Sequence, residues 1–276
     1  MIKWLVPSPV RHALRCFVRD FEWKYPSAWS LVGRARVMVG NRPSLGVAHL
    51  NNYLEEDALG PLQQDEALLL FALVRVVRPK LIVEFGFNKG DSSLNFLKAL
   101  PRDSVVHSYD IKDSAATIAR TFERRYPNFH FHGKSQTEFA RADIGGDLVD
   151  FVFLDAAHSL ELNQTTWRNL EPALADNAIV AVHDTGTWSR QHLRPCHRAF
   201  ILADPNKWLN NDEYQHQLDE RIFINWVLAT SPAFSAVHFH STNVLRHGLT
   251  ILQRGAKLPT SVADCSSAAK EATLKC

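Results

Sequence analysis

The chain has 276 residues, of which 46% are hydrophobic and 22% charged, as in ordinary globular proteins. Its longest uninterrupted apolar run, Ala67–Val74, is far shorter than the roughly 20 residues that span a bilayer. Arg11, Arg15 and Arg19 interrupt the apolar positions that a signal peptide would need, and the four cysteines form no C-x-x-C pair. Composition therefore predicts a cytoplasmic protein rather than a membrane or secreted one.

The net charge of +2 gives no reason to expect nucleic acid as a partner, but the charge is unevenly distributed. Residues 1–45 carry a net charge of +6, which leaves −4 for the rest of the chain. We expect residues 1–59 to form a helical extension whose apolar stripe packs on the main domain. The alternative is a basic surface that docks on a membrane or on an acidic partner.

Helical patterns and apolar strands alternate from Gly60 onward. The predicted helices are Gln63–Val77, Ser92–Leu100, Ala115–Arg125, Glu161–Leu174 and Asp212–Ala229. The predicted strands are Leu81–Phe85, Ser104–Tyr109, Phe129–His132, Leu148–Leu154, Ala178–Val182, Phe234–His240 and Gly248–Gln253. Continuous apolar strands separated by helices indicate an α/β fold with a doubly wound, mostly parallel, seven-stranded sheet that ends in an antiparallel pair. The predicted domain covers residues 60–258, and residues 259–276 are predicted to be a disordered tail.

The first predicted strand turns into a helix through the motif E-x-G-x-x-x-G, formed by Glu84, Gly86 and Gly90. Glycines allow a sharp turn and close approach to a ligand, although such a turn can also serve geometry alone. Asp110 ends the second strand, where a carboxylate can accept both hydroxyls of a ribose. The spacing does not match the dinucleotide motif, and an acid at Glu84 would repel a phosphate but suit an ammonium group. S-adenosylmethionine has a ribose at one end and an amino acid at the other.

This arrangement resembles class I S-adenosylmethionine-dependent methyltransferases over roughly residues 60–254. The resemblance implies that Glu84 faces the methionine amino group and that Gly86 and Gly90 lie against the methionine and ribose. It likewise implies that Asp110 binds the ribose hydroxyls, and that Ser135 and Gln136 lie near the adenine.

Ionisable residues also follow two later strands, with Asp155 and His158 after one and His183 and Asp184 after the next. Ligands bind beyond the carboxyl ends of such strands, so we expect these side chains to converge beside the cofactor. Solvated loop residues or a simple ion pair are the alternatives. A divalent cation held by the two aspartates would lower the pKa of an acceptor hydroxyl, and a neutral His158 could take its proton.

This second half resembles the subfamily of macrocin-type and mycinamicin-type sugar O-methyltransferases and cephalosporin-hydroxylase-like proteins, which share D-x-x-H and a later strand ending before an Asp. The resemblance implies metal ligands at Asp155, His183 and Asp184, with His158 as the base and Mg²⁺ as the expected ion. The sequence departs from that pattern at His183, where the sugar enzymes have a carboxylate, which leaves the identity of the metal open. Thr166 also stands where related sequences often have Asp.

We therefore expect a metal-assisted O-methyltransferase that acts on a hydroxyl of a sugar or another small natural product. A nicotinamide-dependent oxidoreductase and a non-catalytic binding protein are the alternatives. The segment 188–208, rich in Trp, His and Arg, is interpreted as a substrate-covering loop or as a basic surface loop. The sequence predicts neither the particular acceptor nor the oligomeric state.

Overall fold

The computed structural model describes residues 47, 49–50, 62–101, 103–193, 195–210, 214–240 and 248–255. Most of the predicted N-terminal extension and all of the predicted tail lie outside the described residues. Within the described ranges, no helix is long and apolar enough to cross a membrane.

The described chain alternates strands with helices, as the sequence pattern predicts. The strands are β1 Leu81–Phe85, β2 Val105–Tyr109, β3 Phe129–His132, β4 Val149–Leu154, β5 Leu174–Val182, β6 Thr187–Ser189, β7 Trp208–Asn210, β8 Tyr214–Gln217, β9 Phe234–His240 and β10 Gly248–Arg254. The helices are α1 Gln64–Val77, α2 Asp91–Ala99, α3 Asp113–Arg125, α4 Leu160–Leu170, α5 Pro195–Ala203 and α6 Leu218–Thr230.

Seven strands form the main sheet in the order β3-β2-β1-β4-β5-β10-β9. Neighbouring strands from β3 to β5 run parallel, whereas β10 is antiparallel to both β5 and β9. The predicted seven-stranded, mostly parallel sheet with a C-terminal antiparallel pair is confirmed. Because the parallel strands end at one edge, the residues that follow β1, β2, β4 and β5 are brought together there.

Both faces of the main sheet are covered. Alternate residues of β1 enter different hydrophobic clusters: Val83 and Phe85 pack on one face, and Ile82 packs on the other with Phe151 and Phe153. Every residue of β1 is buried. This two-sided burial explains why the strands are continuous apolar runs rather than alternating patterns.

Segment 188–208 is not a loop. Strands β6, β8 and β7 form a small antiparallel sheet in that order, and Trp188, Ile201 and Trp208 pack together beneath it. The predicted helix Asp212–Ala229 is consequently wrong at its start, since residues 214–217 pair as β8 and α6 begins at Leu218. The strand-forming contacts come from residues far away in sequence, which overrides the local helical pattern.

Two smaller boundaries also differ. The predicted helix Glu161–Leu174 ends as α4 at Leu170, and a 3₁₀ turn over Glu171–Ala173 contains Pro172. Strand β5 then begins at Leu174 instead of Ala178 and includes two exposed polar residues near its start. Because those residues are polar, the continuous apolar run by which the strand is recognised in the sequence begins only after them.

Candidate functional site

A cleft of about 610 Å³ opens at the carboxyl ends of β1, β2 and β4. Its walls include Gly86, Asp110, Asp155 and His158, which come from the three connections that follow β1, β2 and β4. The volume lies within the range of pockets that hold small ligands. The fold thus brings members of both predicted groups of residues to one cavity.

The turn after β1 requires glycine at Gly86. Its φ is +101°, and a Cβ there would lie 2.1 Å from the backbone oxygen of Asp155. Gly90, at the N-terminus of α2, also has a positive φ, and a Cβ there would contact the rings of Phe87 and Phe122 at 2.7 Å. Gly86 therefore lies in the cleft wall, whereas Gly90 packs against an aromatic cluster behind it.

Glu84 is fully buried below the turn. Its carboxylate accepts hydrogen bonds from the hydroxyls of Ser92 and Ser108 at 2.5 Å and from that of Ser93. Burial raises the pKa of Glu84 to about 7, although the three hydroxyls partly oppose that effect. The structure does not place this carboxylate among the cleft-lining groups, in contrast to its expected position facing an amino group. The serines that hold it there come from α2 and β2.

Asp110 follows β2 and lines the cleft. One carboxylate oxygen accepts a hydrogen bond from the backbone N–H of Asn88 at 2.8 Å, and the other accepts from the N–H of Lys112 at 2.9 Å. Each oxygen keeps a further lone pair. The carboxylate is thus held in one orientation by the backbone and can still accept hydroxyl groups.

Ser135 and Gln136 both line the cleft, but the Gln136 side chain is already engaged. Its amide nitrogen donates to Asn163 at 3.0 Å and to Thr166 at 2.8 Å, and its oxygen accepts from the N–H of Ala157 at 3.0 Å. Gln136 therefore ties the connection after β3 to α4 and to the connection after β4. Thr166, which stands where related sequences often have Asp, contributes the hydroxyl that accepts one of these hydrogen bonds.

The predicted catalytic residues converge after β4 and β5. His158 Nε2 lies 3.3 Å from Asp184 Oδ2, and His183 Nδ1 lies 3.1 Å from Asp155 Oδ1 and 3.3 Å from Asp184 Oδ1. Asp155, His158 and Asp184 each offer one potential metal-ligating atom within 4.8 Å of the others. Asp184 has a φ of +58°, a left-handed conformation uncommon for a non-glycine residue and often found at functional sites.

Two further acids, Glu66 and Glu220, complete this cluster. Glu66 lies 3.0 Å from His183 Nε2 and also accepts the backbone N–H of Gly248. Glu220 Oε1 lies 2.7 Å from His158 Nδ1, and its other oxygen is buried with no hydrogen-bond partner among the described residues. The cluster thus runs from Glu66 through His183, the two aspartates and His158 to Glu220.

The electrostatics of His183 follow from this arrangement. Its side chain is completely buried, which alone would lower its pKa. The surrounding carboxylates of Asp155, Asp184 and Glu66 outweigh burial and raise the pKa of His183 well above its ordinary value. The imidazole of His183 therefore lies among three carboxylates, which favour its protonated form, and the proton neutralises part of their charge.

Comparisons with known proteins agree with this geometry. The family model of a methyltransferase domain matches residues 83–185, from β1 through the end of β5. The chain carries a class I S-adenosylmethionine-dependent methyltransferase domain. The resemblance seen in the sequence is confirmed at that level, whereas the sugar-methyltransferase subfamily stays a prediction. No curated protein sequence matches the chain.

Solved structures resemble the methyltransferase domain in fold. An O-methyltransferase from Bacillus cereus in complex with SAH is 15% identical with a TM-score of 0.51, covering 82% of this chain and 98% of its own. A provisional caffeoyl-CoA O-methyltransferase from Staphylococcus aureus is 14% identical with a TM-score of 0.51, covering 88% of this chain and 100% of its own. These identities support a shared fold alone.

Glu66 and Glu220 were not predicted as site residues, although the helical pattern of the sequence contains an indication of both. Glu66 shares the buried face of α1 with Leu70 and Val74 at a spacing of four residues, and Glu220 shares that of α6 with Phe223, Ile224 and Val227. A charged residue at a core position of an amphipathic helix needs a buried partner. The pattern could have marked both residues, although not the histidines that they contact.

Proposed function

We propose that the domain transfers a methyl group from S-adenosylmethionine to a hydroxyl of a sugar or other small natural-product acceptor, with assistance from a divalent cation. One observation carries the proposal. Asp155 and His158 form part of the wall of the same cleft as Asp110 and Gly86. Groups suited to deprotonating a hydroxyl thus lie beside groups suited to binding an adenosine-containing methyl donor.

The cofactor half of the cleft fits the donor in chemistry. Asp110 presents a backbone-held carboxylate to the ribose position, and the missing side chain at Gly86 leaves the backbone accessible. When bound, S-adenosylmethionine supplies an electrophilic methyl group on a sulfonium. The Bacillus cereus O-methyltransferase, of similar fold, is known in complex with SAH, which supports the same class of ligand here.

His158 is the proposed base for the acceptor hydroxyl. Its Nδ1 lies 2.7 Å from Glu220, a contact that favours the tautomer with the proton on Nδ1. The other nitrogen, Nε2, lies 3.3 Å from Asp184 Oδ2, and it can take the proton of the acceptor only while it does not itself donate to that carboxylate. Because the side chain is about one-third exposed to the cleft side, an acceptor hydroxyl can reach this nitrogen and transfer its proton to it.

The donor set also fits a divalent cation. Asp155 and Asp184 supply carboxylate oxygens that lie within 4.8 Å of each other and of a ring nitrogen of His158. A cation there would lower the pKa of the acceptor hydroxyl, and Mg²⁺ prefers such oxygen ligands. Both nitrogens of His183 face carboxylates, so we revise its proposed role from third ligand to a group that orients the two aspartates.

Calorimetry with S-adenosylmethionine tests the cofactor assignment. Wild-type protein should bind the donor, and Asp110→Ala should weaken the affinity at least about tenfold because the ribose loses its carboxylate acceptor. Asp113→Ala, which removes an exposed acid at the start of α3, is the matched control. Absence of binding by the wild type, or equal affinity in Asp110→Ala, would contradict the assignment.

The reaction is tested by incubating the protein with S-adenosylmethionine and a panel of sugars and glycosylated natural products. Formation of the demethylated donor and of a methylated acceptor is measured for each. We expect activity on at least one hydroxylated acceptor, loss of that activity with a chelator, and recovery with Mg²⁺. Full activity after chelation would remove the cation from the mechanism and leave His158 acting alone. Donor binding with no turnover across the whole panel would instead favour a non-catalytic binding protein.

A further inference from the structure

Glu66 is a buried acid at the α1 end of the cluster, and it takes no direct part in the proposed reaction. The residue is only 6% exposed, and it is absent from the described residues that line the cleft. Burying a carboxylate is unfavourable unless its oxygens have partners. The partners of Glu66 therefore indicate what the residue stabilises.

The two carboxylate oxygens of Glu66 contact three separate parts of the chain. Oε1 accepts the backbone N–H of Gly248, the first residue of β10. Oε2 accepts the backbone N–H of Gln63 at 3.1 Å and lies 3.0 Å from Nε2 of His183. Since an ionised carboxylate can only accept, Nε2 is the donor in that contact. Glu66 thus joins the start of α1, the start of β10 and the residue that follows β5.

The opposite edge of the His183 ring faces two aspartates. Nδ1 of His183 lies 3.1 Å from Oδ1 of Asp155 and 3.3 Å from Oδ1 of Asp184. The side chain of His183 is completely buried. Rotation about its side-chain torsions moves both ring nitrogens together, so a contact held at Nε2 restricts where Nδ1 lies. The hydrogen bond to Glu66 therefore fixes the position of Nδ1 between the ends of β4 and β5.

We propose that Glu66 is a positioning residue, which sets the separation and orientation of Asp155 and Asp184 through the ring of His183. The inference rests on the proposed function, in which these two aspartates hold a divalent cation. Hydrogen-bonded neighbours keep metal ligands in place, and removing such a neighbour lowers metal affinity by about 10- to 100-fold. Glu66 acts in this way from α1, through His183 rather than by direct contact with a ligand in the cleft.

The experiment measures binding of Mn²⁺ to the full chain, followed by the electron paramagnetic resonance signal of the free ion. Mn²⁺ is a suitable probe because it prefers oxygen ligands, and its binding requires neither donor nor acceptor. Glu66→Gln is the first variant. Glutamine has nearly the same size but only one acceptor oxygen, so it cannot accept from both Gly248 and His183.

Two further variants and a control complete the set. His183→Gln replaces the ring itself, and the double variant Glu66→Gln/His183→Gln tests whether the two residues act as one unit. Asp65→Asn is the matched control, because Asp65 is an exposed acid next to Glu66 on α1 and the change removes the same charge. Circular dichroism and the affinity for S-adenosylmethionine establish that each variant is folded.

Wild-type protein and Asp65→Asn should bind Mn²⁺ with equal affinity, and Glu66→Gln should bind it at least about tenfold more weakly, with donor affinity unchanged. The double variant should bind Mn²⁺ no more weakly than His183→Gln alone, because Glu66 acts through the ring. A purely structural role of Glu66 would instead make the two losses additive, which would overturn the proposal.

Failure of this inference is distinguishable from failure of the proposed function. Wild-type Mn²⁺ affinity in folded Glu66→Gln, or in folded His183→Gln, would overturn the positioning role and leave the proposed methyl transfer standing. The expected losses together with no turnover on any acceptor would support the positioning role and count against the proposed reaction. No Mn²⁺ binding by the wild type would overturn both the positioning role and the proposed cation.

Discussion

The two halves of the cleft are built on different physical principles. The cofactor half, at the ends of β1 to β3, relies on the Gly86 turn and on a carboxylate, Asp110, held by neighbouring backbone N–H groups. The acceptor half, at the ends of β4 and β5, relies on buried ionisable side chains that lie against one another. The proposed binding of the donor thus depends on local backbone geometry, whereas the proposed chemistry depends on compensation of charge between distant parts of the chain.

That difference explains why helices α1 and α6 matter to the acceptor half. Glu66 and Glu220 reach the cluster across 117 and 62 residues of sequence, respectively. Burying several carboxylates and imidazoles is unfavourable unless each charge finds a partner. Removing a charge partner should consequently leave an uncompensated buried charge in the acceptor half, while the cofactor half should fail abruptly for a steric reason when its turn is altered.

The abrupt failure is expected for Gly86→Ala. A positive φ and a Cβ 2.1 Å from a backbone oxygen should together lower the free energy of unfolding by more than about 3 kcal/mol and abolish donor binding. Gly145→Ala is the control, because Gly145 also has a positive φ but has open space around it, so we expect a cost of about 1 kcal/mol. Chemical denaturation of both variants measures the difference, and equal costs would contradict the steric argument.

The largest effect in the acceptor half is expected for His158→Ala. Removing the proposed base should lower the rate of methyl transfer about 100-fold or more, while donor affinity changes little, because the lost proton acceptor serves the acceptor hydroxyl. Steady-state kinetics and calorimetry measure the two quantities. Glu161→Ala, an exposed change nearby on α4, should leave both unaltered. A turnover close to that of the wild type would refute the proposed role of His158.

Glu84 gives the cofactor half a distinct pH dependence. Burial raises the pKa of Glu84 from 4.5 to about 7 in the folded protein, so the fold binds this proton more tightly than the unfolded chain does. Its contribution to stability is complete below pH 4.5 and is lost as the pH rises through 7. This is the reverse of the usual carboxylate, whose pKa falls on folding.

Glu84→Gln removes that titration. Relative to the wild type, the variant should therefore gain stability as the pH rises from 5 to 8, by on the order of 2 kcal/mol. Urea denaturation at both pH values measures the change, and Glu161→Gln supplies an exposed control with no such trend. A difference between variant and wild type that stays constant with pH would show that Glu84 does not titrate in this range.

The smallest effect is expected for Glu220. Glu220→Ala leaves His158 Nδ1 without its acceptor and should lower kcat about tenfold with little change in KM. Glu220→Gln should lose less, because its amide oxygen can still accept the Nδ1 proton. Asp219→Asn removes the neighbouring charge but keeps an oxygen that can accept from the backbone N–H of Leu160, and it serves as the control. Equal kcat values for the alanine and glutamine variants would exclude a positioning role through this hydrogen bond.

Local patterns in the chain predicted much of the cofactor half. The glycines of the first turn, the acid that ends β2 and the continuous apolar strands each reflect interactions within about twenty residues, for which spacing is informative. The position of the Glu84 carboxylate was not predictable in this way, because its hydroxyl partners Ser92, Ser93 and Ser108 are set by how α2 and β2 pack on β1.

The sequence by itself determined the alternation of strands and helices, the edge of the sheet at which a ligand binds and the convergence of Asp155, His158, His183 and Asp184. These follow from periodicity and from the parallel arrangement, which sends every strand end to one edge. Only the tertiary structure decided the ionic partners, Glu66 and Glu220. It also decided that both ends of segment 188–208, predicted as a loop, and residues 214–217, predicted as helix, pair as strands of a small sheet with its own apolar cluster. The reason is physical: charge compensation and strand pairing join residues far apart in the chain, and their energies depend on burial, which local sequence does not specify.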